Sequence, residues 1–350
     1  MSLETKTHVV VLMGGMSSEH EVSMATGRKI AESLDPKLFA VTPVVITRNG
    51  HWAFPDAKPV GIFDAVPELK RREVDCVFIA LHGPFGEDGR IQGMLDLLGL
   101  PYTCSGCAAS ALAMDKLRSK AVVHDAGIRT PADLAVERLE WQACPEAVVA
   151  RAAAEIGFPC VVKSPCQGSS IGMAIAQDEQ AFRECLPQVF RYGDELMVEA
   201  FISGTEVTCA VLDVSAESPP RALPLTEIRP WSASFFDYEA KYTPGAAEEI
   251  TPAKISAERT AEVQEMSVRV HRLIGCGIWS RSDFIIDADG PAWLEVNTVP
   301  GMTPTSLYPQ AAAAVGISYG ALLTLFVEAA MAETRGKRDG NHVHQDARAG

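Results

Sequence analysis

Apolar positions along the chain fall into two alternating periods. Short, nearly continuous apolar runs at His8 to Met13, Val41 to Thr47 and Val74 to Leu81 have the pattern of strands buried on both faces, and a helical pattern from Ser18 to Ser33 separates the first two. This alternation predicts an α/β layer with parallel strands. A helix is predicted from Arg90 to Leu98, stopped by Gly99 and Pro101, and a first domain ends close by. Ala-rich, Leu-punctuated sequence predicts helix again over 108–127 and 146–157. Phe158 to Lys163 then reads as a strand, and a Gly/Ser loop joins it to the apolar run Ile171 to Ala176, as in a two-stranded flap. Glu195 to Ile228 reads mostly as β, Ser256 to Ile274 as helix, and Gly277 to Asn297 as a hairpin turning at Asp287-Ala288-Asp289-Gly290. Arg229 to Pro252 is a long irregular segment whose Trp231, Phe235, Phe236, Tyr238, Lys241 and Tyr242 are too much aromatic and cationic content for an idle loop, so a closing lid is expected. The polar, Gly-containing stretch from Gly336 onward is expected to be disordered.

Composition narrows the partners. The chain has 350 residues, enough for two or three domains, and carries a formal net charge of -14, so its overall field repels nucleic acid and anionic membrane alike. Any anionic ligand must be met by a few local cations. No apolar stretch approaches the roughly 20 residues of a bilayer span, and neither a signal peptide nor a membrane helix is expected. Nine scattered cysteines suit a reducing cytosol, and Cys104-Ser105-Gly106-Cys107 reads as two thiols in a turn rather than half of a zinc site.

Three places carry candidate chemistry. In the terminal hairpin, Arg281 and Asp283 project together and Glu295 and Asn297 project together, and folding at the turn brings Asp283 roughly opposite Glu295. Two carboxylates and an amide oxygen so placed suit a hard cation such as Mg²⁺ beside a phosphate, although a solvated polar face explains the spacing equally well. There is no G-x-x-x-x-G-K-[ST] string, so phosphate contacts fall to Lys163 and the Gln167-Gly168-Ser169-Ser170 turn. Near the N-terminus, Ser18 and Glu21 have capping-box spacing, which leaves Glu19 unexplained; a carboxylate beyond the first parallel strand lies where such sheets bind ligands and could hold an ammonium group. His82 ends another strand in the same way.

Taken together, these strings resemble the D-alanine–D-alanine ligase family of the ATP-grasp superfamily. The resemblance spans Val9 to about Ala330. It rests on Gly14-Gly15-Met16-Ser17-Ser18-Glu19-His20-Glu21, Leu81-His82-Gly83-Pro84-Phe85-Gly86-Glu87-Asp88-Gly89, Met114-Asp115-Lys116, Gly168-Ser169-Ser170-Ile171-Gly172, Asp237-Tyr238-Glu239-Ala240-Lys241-Tyr242, Arg281-Ser282-Asp283-Phe284 and Leu294-Glu295-Val296-Asn297 through Thr303. It implies an N-terminal parallel α/β substrate-binding domain (1–105) followed by a two-part ATP-grasp body of mixed α/β and α+β character. The body would comprise a central subdomain (106–197) and a C-terminal subdomain (198–335) with the lid at 229–252, leaving 336–350 as a disordered tail.

The residue roles that follow are implied by the same resemblance. ATP would meet Lys116, Lys163, Ser169 and the lid lysine Lys241, with Glu199, Phe201 and Ile202 at the adenine hinge and Glu206 on the ribose. Two Mg²⁺ ions, or Mn²⁺ in their place, would sit at Asp283, Glu295 and Asn297. Glu19 would hold the first D-alanine's ammonium near His82, while Arg281, Ser306 and Leu307 would bind the second. Glu19, Ser169 and Tyr242 would form a hydrogen-bonded triad, and Arg281 with the Gly301 N–H would stabilise an oxyanion. The implied activity is ATP-dependent joining of two D-alanines through an acyl phosphate, in peptidoglycan precursor synthesis for the cell wall and cell shape, by a cytoplasmic homodimer. A D-alanine–D-lactate ligase and a catalytically silent nucleotide-binding relative are the alternatives; Tyr242 favours the dipeptide over the first, and the intact carboxylate and lysine set argues against the second. Lys163-Ser164-Pro165 departs from the family's usual Lys-Pro, which puts the flap geometry in doubt.

Overall fold

The structure, a computed structural model, describes residues 6–168, 171–230 and 247–346. Its first sheet has the order β3-β2-β1-β4, formed by β1 (Thr7–Gly14), β2 (Phe39–Ile46), the two-residue β3 (Trp52–Ala53) and β4 (Cys76–Ile79). Val9 to Leu12 are fully buried, and β1 pairs in parallel with both β2 and β4, as its two-sided apolar run requires. Helices α1 (His20–Ser33), α2 (Ile62–Arg71) and α3 (Arg90–Leu98) complete this layer. The capping box expected at Ser18 and Glu21 does not form. Ser18 is exposed, Glu19 occupies the cap position without a side-chain cap bond, and Glu21 pairs with Arg48 at 2.9 Å. Buried Ser17 takes the inward place instead, accepting from the Glu19 N–H at 3.2 Å and donating to the His82 carbonyl at 2.6 Å.

The helical sequence over 108–127 is two helices, α4 (Cys107–Met114) and α5 (Lys116–Asp125), broken at Asp115, whose carboxylate caps α5 by accepting from the Arg118 N–H at 3.1 Å. A second sheet, entirely antiparallel, has the order β5-β8-β6-β7 from β5 (Asp133–Glu137), β6 (Cys160–Lys163), β7 (Met173–Ala176) and β8 (Glu195–Ala200). The expected flap is the β6–β7 pair, with Lys163 opposite Met173. Sequence periodicity missed β5 because only Leu134 and Val136 face inward along it. This sheet packs with α6 (Arg138–Ala143), α7 (Pro145–Glu155) and α8 (Glu179–Val189) around a core of its own, drawn from residues 134–198.

The third sheet runs β12-β11-β9-β13-β14 with β10 beside β9. It comprises β9 (Thr205–Asp213), β10 (Arg221–Ala222), β11 (Thr226–Pro230), β12 (Ala247–Ile250), β13 (Ile278–Asp287) and β14 (Gly290–Asn297). The segment expected to be irregular from Arg229 to Pro252 is therefore paired at its base, Arg229 opposite Glu248 and Pro230 opposite Ala247. Adjacent Glu248 and Glu249 broke the apolar alternation that would have revealed β12. Residues 231–246 lie outside the described residues, and with them the central part of the expected lid. The α9 helix (Ala257–Ile274), capped by Ser256, packs on this sheet together with α4 and α5. Then follow α10 (Leu307–Ala313) and α11 (Tyr319–Asp346). The backbone of α11 is helical as far as Asp346, and residues 347–350 of the expected tail lie outside the described residues; only Gly336 and Gly340 interrupt a run without proline, and each glycine costs a helix only about 1 kcal/mol.

The first and third sheets share one apolar core. Trp279 of β13 is fully buried, stacks on Phe326 of α11 at 4.7 Å, meets Tyr308 edge-on at 5.2 Å, and donates from its indole to the Thr103 carbonyl at 3.3 Å. All nine cysteines are free thiols, and burial raises Cys104 to about 12, in keeping with an inert turn. Among the described residues no helix is long and apolar enough to cross a membrane.

Candidate active site

An open cleft enclosing about 890 Å³, part of it solvent, lies between the second and third sheets. From the second sheet come Lys163, Glu199, Phe201 and Ile202; from the third come Glu206, Asp283, Ile285, Leu294 and Glu295; Lys116 enters from the start of α5. A smaller hollow adjoins it, lined by Glu87, Gly168, Asn297 and Thr298 and sharing Lys116, Gln167 and Glu295 with the cleft. Lys116 and Glu295, 3.1 Å apart, thus stand on the boundary between the two spaces.

Register decides the carboxylate face. Asp283 lies opposite Glu295 and Arg281 opposite Asn297, as the turn at Asp289-Gly290 led one to expect, but a bulge between Asp283 and Phe284 is what achieves it. Beyond the bulge Phe284 pairs with Trp293, so Leu294 is the extra residue and faces the cleft. Without it Asp283 would face Leu294. Arg281 grips Asp283 through two hydrogen bonds, 2.8 and 2.9 Å, and the Asn297 amide donates to the same carboxylate at 3.2 Å. Ser282 points the other way, accepting from the Trp293 indole at 3.3 Å. Among the described residues no three His, Cys, Asp or Glu side chains gather as a metal cluster. The donor set on this face, two carboxylates and an amide beside two cations, nevertheless fits a hard divalent cation with phosphate oxygens completing its shell.

The cationic side of the cleft is built on Glu199. Its carboxylate is buried between Lys163, at 2.7 Å, and Lys120, with which it makes a close ion pair. Burial alone would raise the Glu199 carboxyl, but the two ammonium groups outweigh it and hold it below the usual range. Burial likewise works against the Lys116 ammonium, and Glu295 more than restores it, leaving Lys116 raised. Lys120 escaped the sequence reading. Its signal was there in the spacing, since residues four apart on a helix share a face, and Lys116 and Lys120 are so spaced on α5.

On the first domain, His82 is buried with both ring nitrogens engaged. The Val299 carbonyl at 3.2 Å can only accept, so Nδ1 carries the proton, and the Thr26 hydroxyl donates to Nε2 at 3.1 Å. Burial lowers its pKa although Glu19 pulls the other way, so the ring is neutral. Glu19 is also buried, and close approach to its carboxylate explains two glycines: a Cβ on Gly83 would lie 2.4 Å from its Oε2, and one on Gly168 2.6 Å. The flap turn therefore touches the first domain at Glu19. Glu87, a second residue the sequence reading left without a role, accepts from the Gly83 N–H at 2.9 Å, and burial together with the nearby Glu19 charge pushes its carboxyl up to about 8. Beyond β14, Ser306 accepts from the Thr303 N–H at 3.0 Å and lies 3.2 Å from where a Cβ on Gly301 would stand, and Leu307 opens α10. Ser169, Lys241 and Tyr242 lie outside the described residues.

Residues 8–105 match the family described as D-ala D-ala ligase N-terminus, and residues 122–328 the one described as D-ala D-ala ligase C-terminus. The chain belongs to the D-alanine–D-alanine ligase family. A relative in this family, the D-alanine–D-alanine ligase of Halalkalibacterium halodurans, is 43% identical over 324 residues, covering 91% of this chain and 97% of the relative. Among solved structures, the D-alanine–D-alanine ligase from Coxiella burnetii superposes with a TM-score of 0.82 at 27% identity, covering 99% of each chain. The Bacillus anthracis D-alanine–D-alanine ligase complexed with ATP gives 0.76 at 30% identity, covering 95% of this chain and 99% of that one. The ligase family thus accounts for all three sheets and for the ATP-grasp architecture of the cleft.

Proposed function

We propose that this protein joins two D-alanine molecules at the expense of ATP, by way of an acyl phosphate, in the cytoplasm and for peptidoglycan synthesis. The observation that carries this reading is the Lys116–Glu295 boundary, because a phosphoryl group bound in the large cleft there faces a second, smaller space where a carboxylate can receive it. The adenine end of ATP fits the apolar end of the cleft at Phe201 and Ile202, and the ribose fits Glu206. Lys116 and Lys163 meet the phosphates, joined by Lys241 and Ser169 of the lid and flap.

Asp283, Glu295 and Asn297 would hold Mg²⁺, which when bound neutralises charge on the phosphates. Glu19 pairs with the ammonium of the first D-alanine, and neutral His82 donates from Nδ1 to Val299, which keeps the backbone leading to Gly301 in place. Ser306 and Leu307 flank the second D-alanine. Its amine attacks the acyl carbon; Arg281, fixed by its two hydrogen bonds to Asp283, and the Gly301 N–H stabilise the oxyanion before phosphate leaves. Tyr242, which the family resemblance links with Ser169 and Glu19, would close the site against water, which would otherwise hydrolyse the acyl phosphate. The division into domains at 105 and 197 and a homodimeric assembly belong to the same reading. Phosphate release from the purified protein with ATP, Mg²⁺ and D-alanine, and none with L-alanine, is the expected result. Equal release with L-alanine, or none with either, would refute the proposal.

A further inference from the structure

Lys120 belongs to none of the motifs that carry the reading above, yet its side chain is 1% exposed. A lysine is almost never so deeply buried unless paired. Its partner is Glu199 Oε1, while Lys163 takes Glu199 Oε2 at 2.7 Å. Lys163 lines the cleft and Lys120 does not. Two ammonium groups share one carboxylate here, with Asp133 lying across the strand pair from Glu199; burial pulls the Lys120 ammonium down and Glu199 works against that.

A simple buttress under the cleft would need no charge here. Removing an ammonium from water is costly, and an apolar side chain of the same volume would fill the space more cheaply. The structure suggests what the charge does instead. If Lys120 were absent, both oxygens of Glu199 would turn on Lys163, and the pair facing the cleft would be neutral. We propose that Lys120 is a positioning residue for the nucleotide phosphates: by occupying one oxygen of Glu199 it confines that carboxylate to a single bond with Lys163 and keeps a net positive charge at the cleft. The inference rests on reading the cleft as a nucleotide site. It also makes α5 a two-lysine device, with Lys116 delivered to the boundary with the small hollow and Lys120 to the floor beneath Lys163.

The test is calorimetric binding of ADP and of adenosine to the full-length protein and to Lys120→Met, Lys120→Arg, Glu199→Gln and the double variant Lys120→Met/Glu199→Gln. Lys120→Met is expected to weaken ADP binding by about tenfold or more while changing adenosine, which carries no phosphate, by less than about twofold. In turnover the same variant raises KM for ATP and leaves KM for D-alanine nearly unchanged. Lys120→Arg, which keeps the charge, binds ADP more tightly than Lys120→Met. Glu199 itself lines the cleft, so the double variant is read against Glu199→Gln alone: with no carboxylate to restrain, Lys120→Met changes ADP binding there by less than about threefold. Equal losses for ADP and adenosine from Lys120→Met in the parent, or a further loss of ADP affinity of about tenfold from Lys120→Met in the Glu199→Gln background, would overturn the assignment. Should Lys120→Met fail to fold, the comparison of the double variant with Glu199→Gln decides: a further loss of ADP affinity of about tenfold or more overturns it. A parent protein that binds ADP but does not respond to these changes refutes this inference alone, whereas one that binds neither ADP nor adenosine refutes the nucleotide reading beneath it.

Discussion

Replacing Glu295 by Gln separates what that carboxylate does for the fold from what it does for the reaction. In the resting structure its charge faces Lys116 Nζ at 3.1 Å, where the two side chains are 11% and 24% exposed. Lys116 keeps one further contact, donating to the Gln167 carbonyl at 2.8 Å. Because Gln fills the same space and water reaches the pair in part, the loss of stability is held to about 1–3 kcal/mol, the cost of removing one charged partner from a half-buried hydrogen bond. In a chain of this size that is a fall of several degrees in melting temperature. Catalysis should suffer more. Glu295 supplies one of only two carboxylates on the face proposed to hold Mg²⁺, and losing a fixed charge of this kind costs about 3–4 kcal/mol of transition-state stabilisation, or a hundred- to thousandfold in turnover. Phosphate release with ATP and D-alanine over a Mg²⁺ titration, beside a thermal melt of the same preparation, measures both. A folded Glu295→Gln protein turning over within about threefold of the parent at millimolar Mg²⁺ would refute the role given to this face.

The sign of the Glu87 shift sets a pH dependence. Its folded pKa, near 8, lies above the unfolded value, so the stability it contributes is full below about pH 4.5 and is lost as pH rises through 8; Glu87→Gln should flatten the fall in melting temperature between pH 5 and pH 9. An unchanged slope would show that Glu87 is ionised throughout. His82, neutral and protonated on Nδ1, should show no ring titration by nitrogen NMR between pH 6.5 and 9, and an imidazolium signal at pH 7 would contradict its two hydrogen bonds. Trp279→Leu should cost about 3–4 kcal/mol in urea unfolding, through lost packing on Phe326 and Tyr308 and an unmet Thr103 carbonyl; a loss below about 1 kcal/mol would mean the first and third sheets do not depend on this contact.

Much of this was legible in the sequence wherever one residue type dominates a local pattern. The all-apolar β1 announced a central parallel strand, and the Asp-Gly turn placed Asp283 across from Glu295. The bulge at Leu294 was not legible. An extra residue in one strand leaves the alternation of its neighbours unchanged, so only the observed register reveals it. Capping chemistry misled at Ser18 because spacing cannot tell which of two adjacent serines turns inward. At β11 and β12, pairing across a long gap overrode a glutamate-rich local signal. Glu87 was not legible for a further reason, and the spacing of Lys120 from Lys116 gave only its face: what sets both apart is burial, a property of the fold and not of the string.

The separate core of the second sheet bears on how products leave. A cluster of buried apolar side chains from residues 134–198 forms a core separate from the one that the first and third sheets share. What spans the cleft floor is ionic: Lys116 to Glu295 and to the Gln167 carbonyl, and Lys120 to Glu199. Parting two greasy surfaces exposes apolar area at about 25 cal/mol for every Å². Parting charged groups lets water take over their hydrogen bonds, and the balance changes little. A widening cleft would therefore fill with solvent and leave both packed bodies intact, so that ADP and a dipeptide could depart over a wetting barrier without any unfolding step.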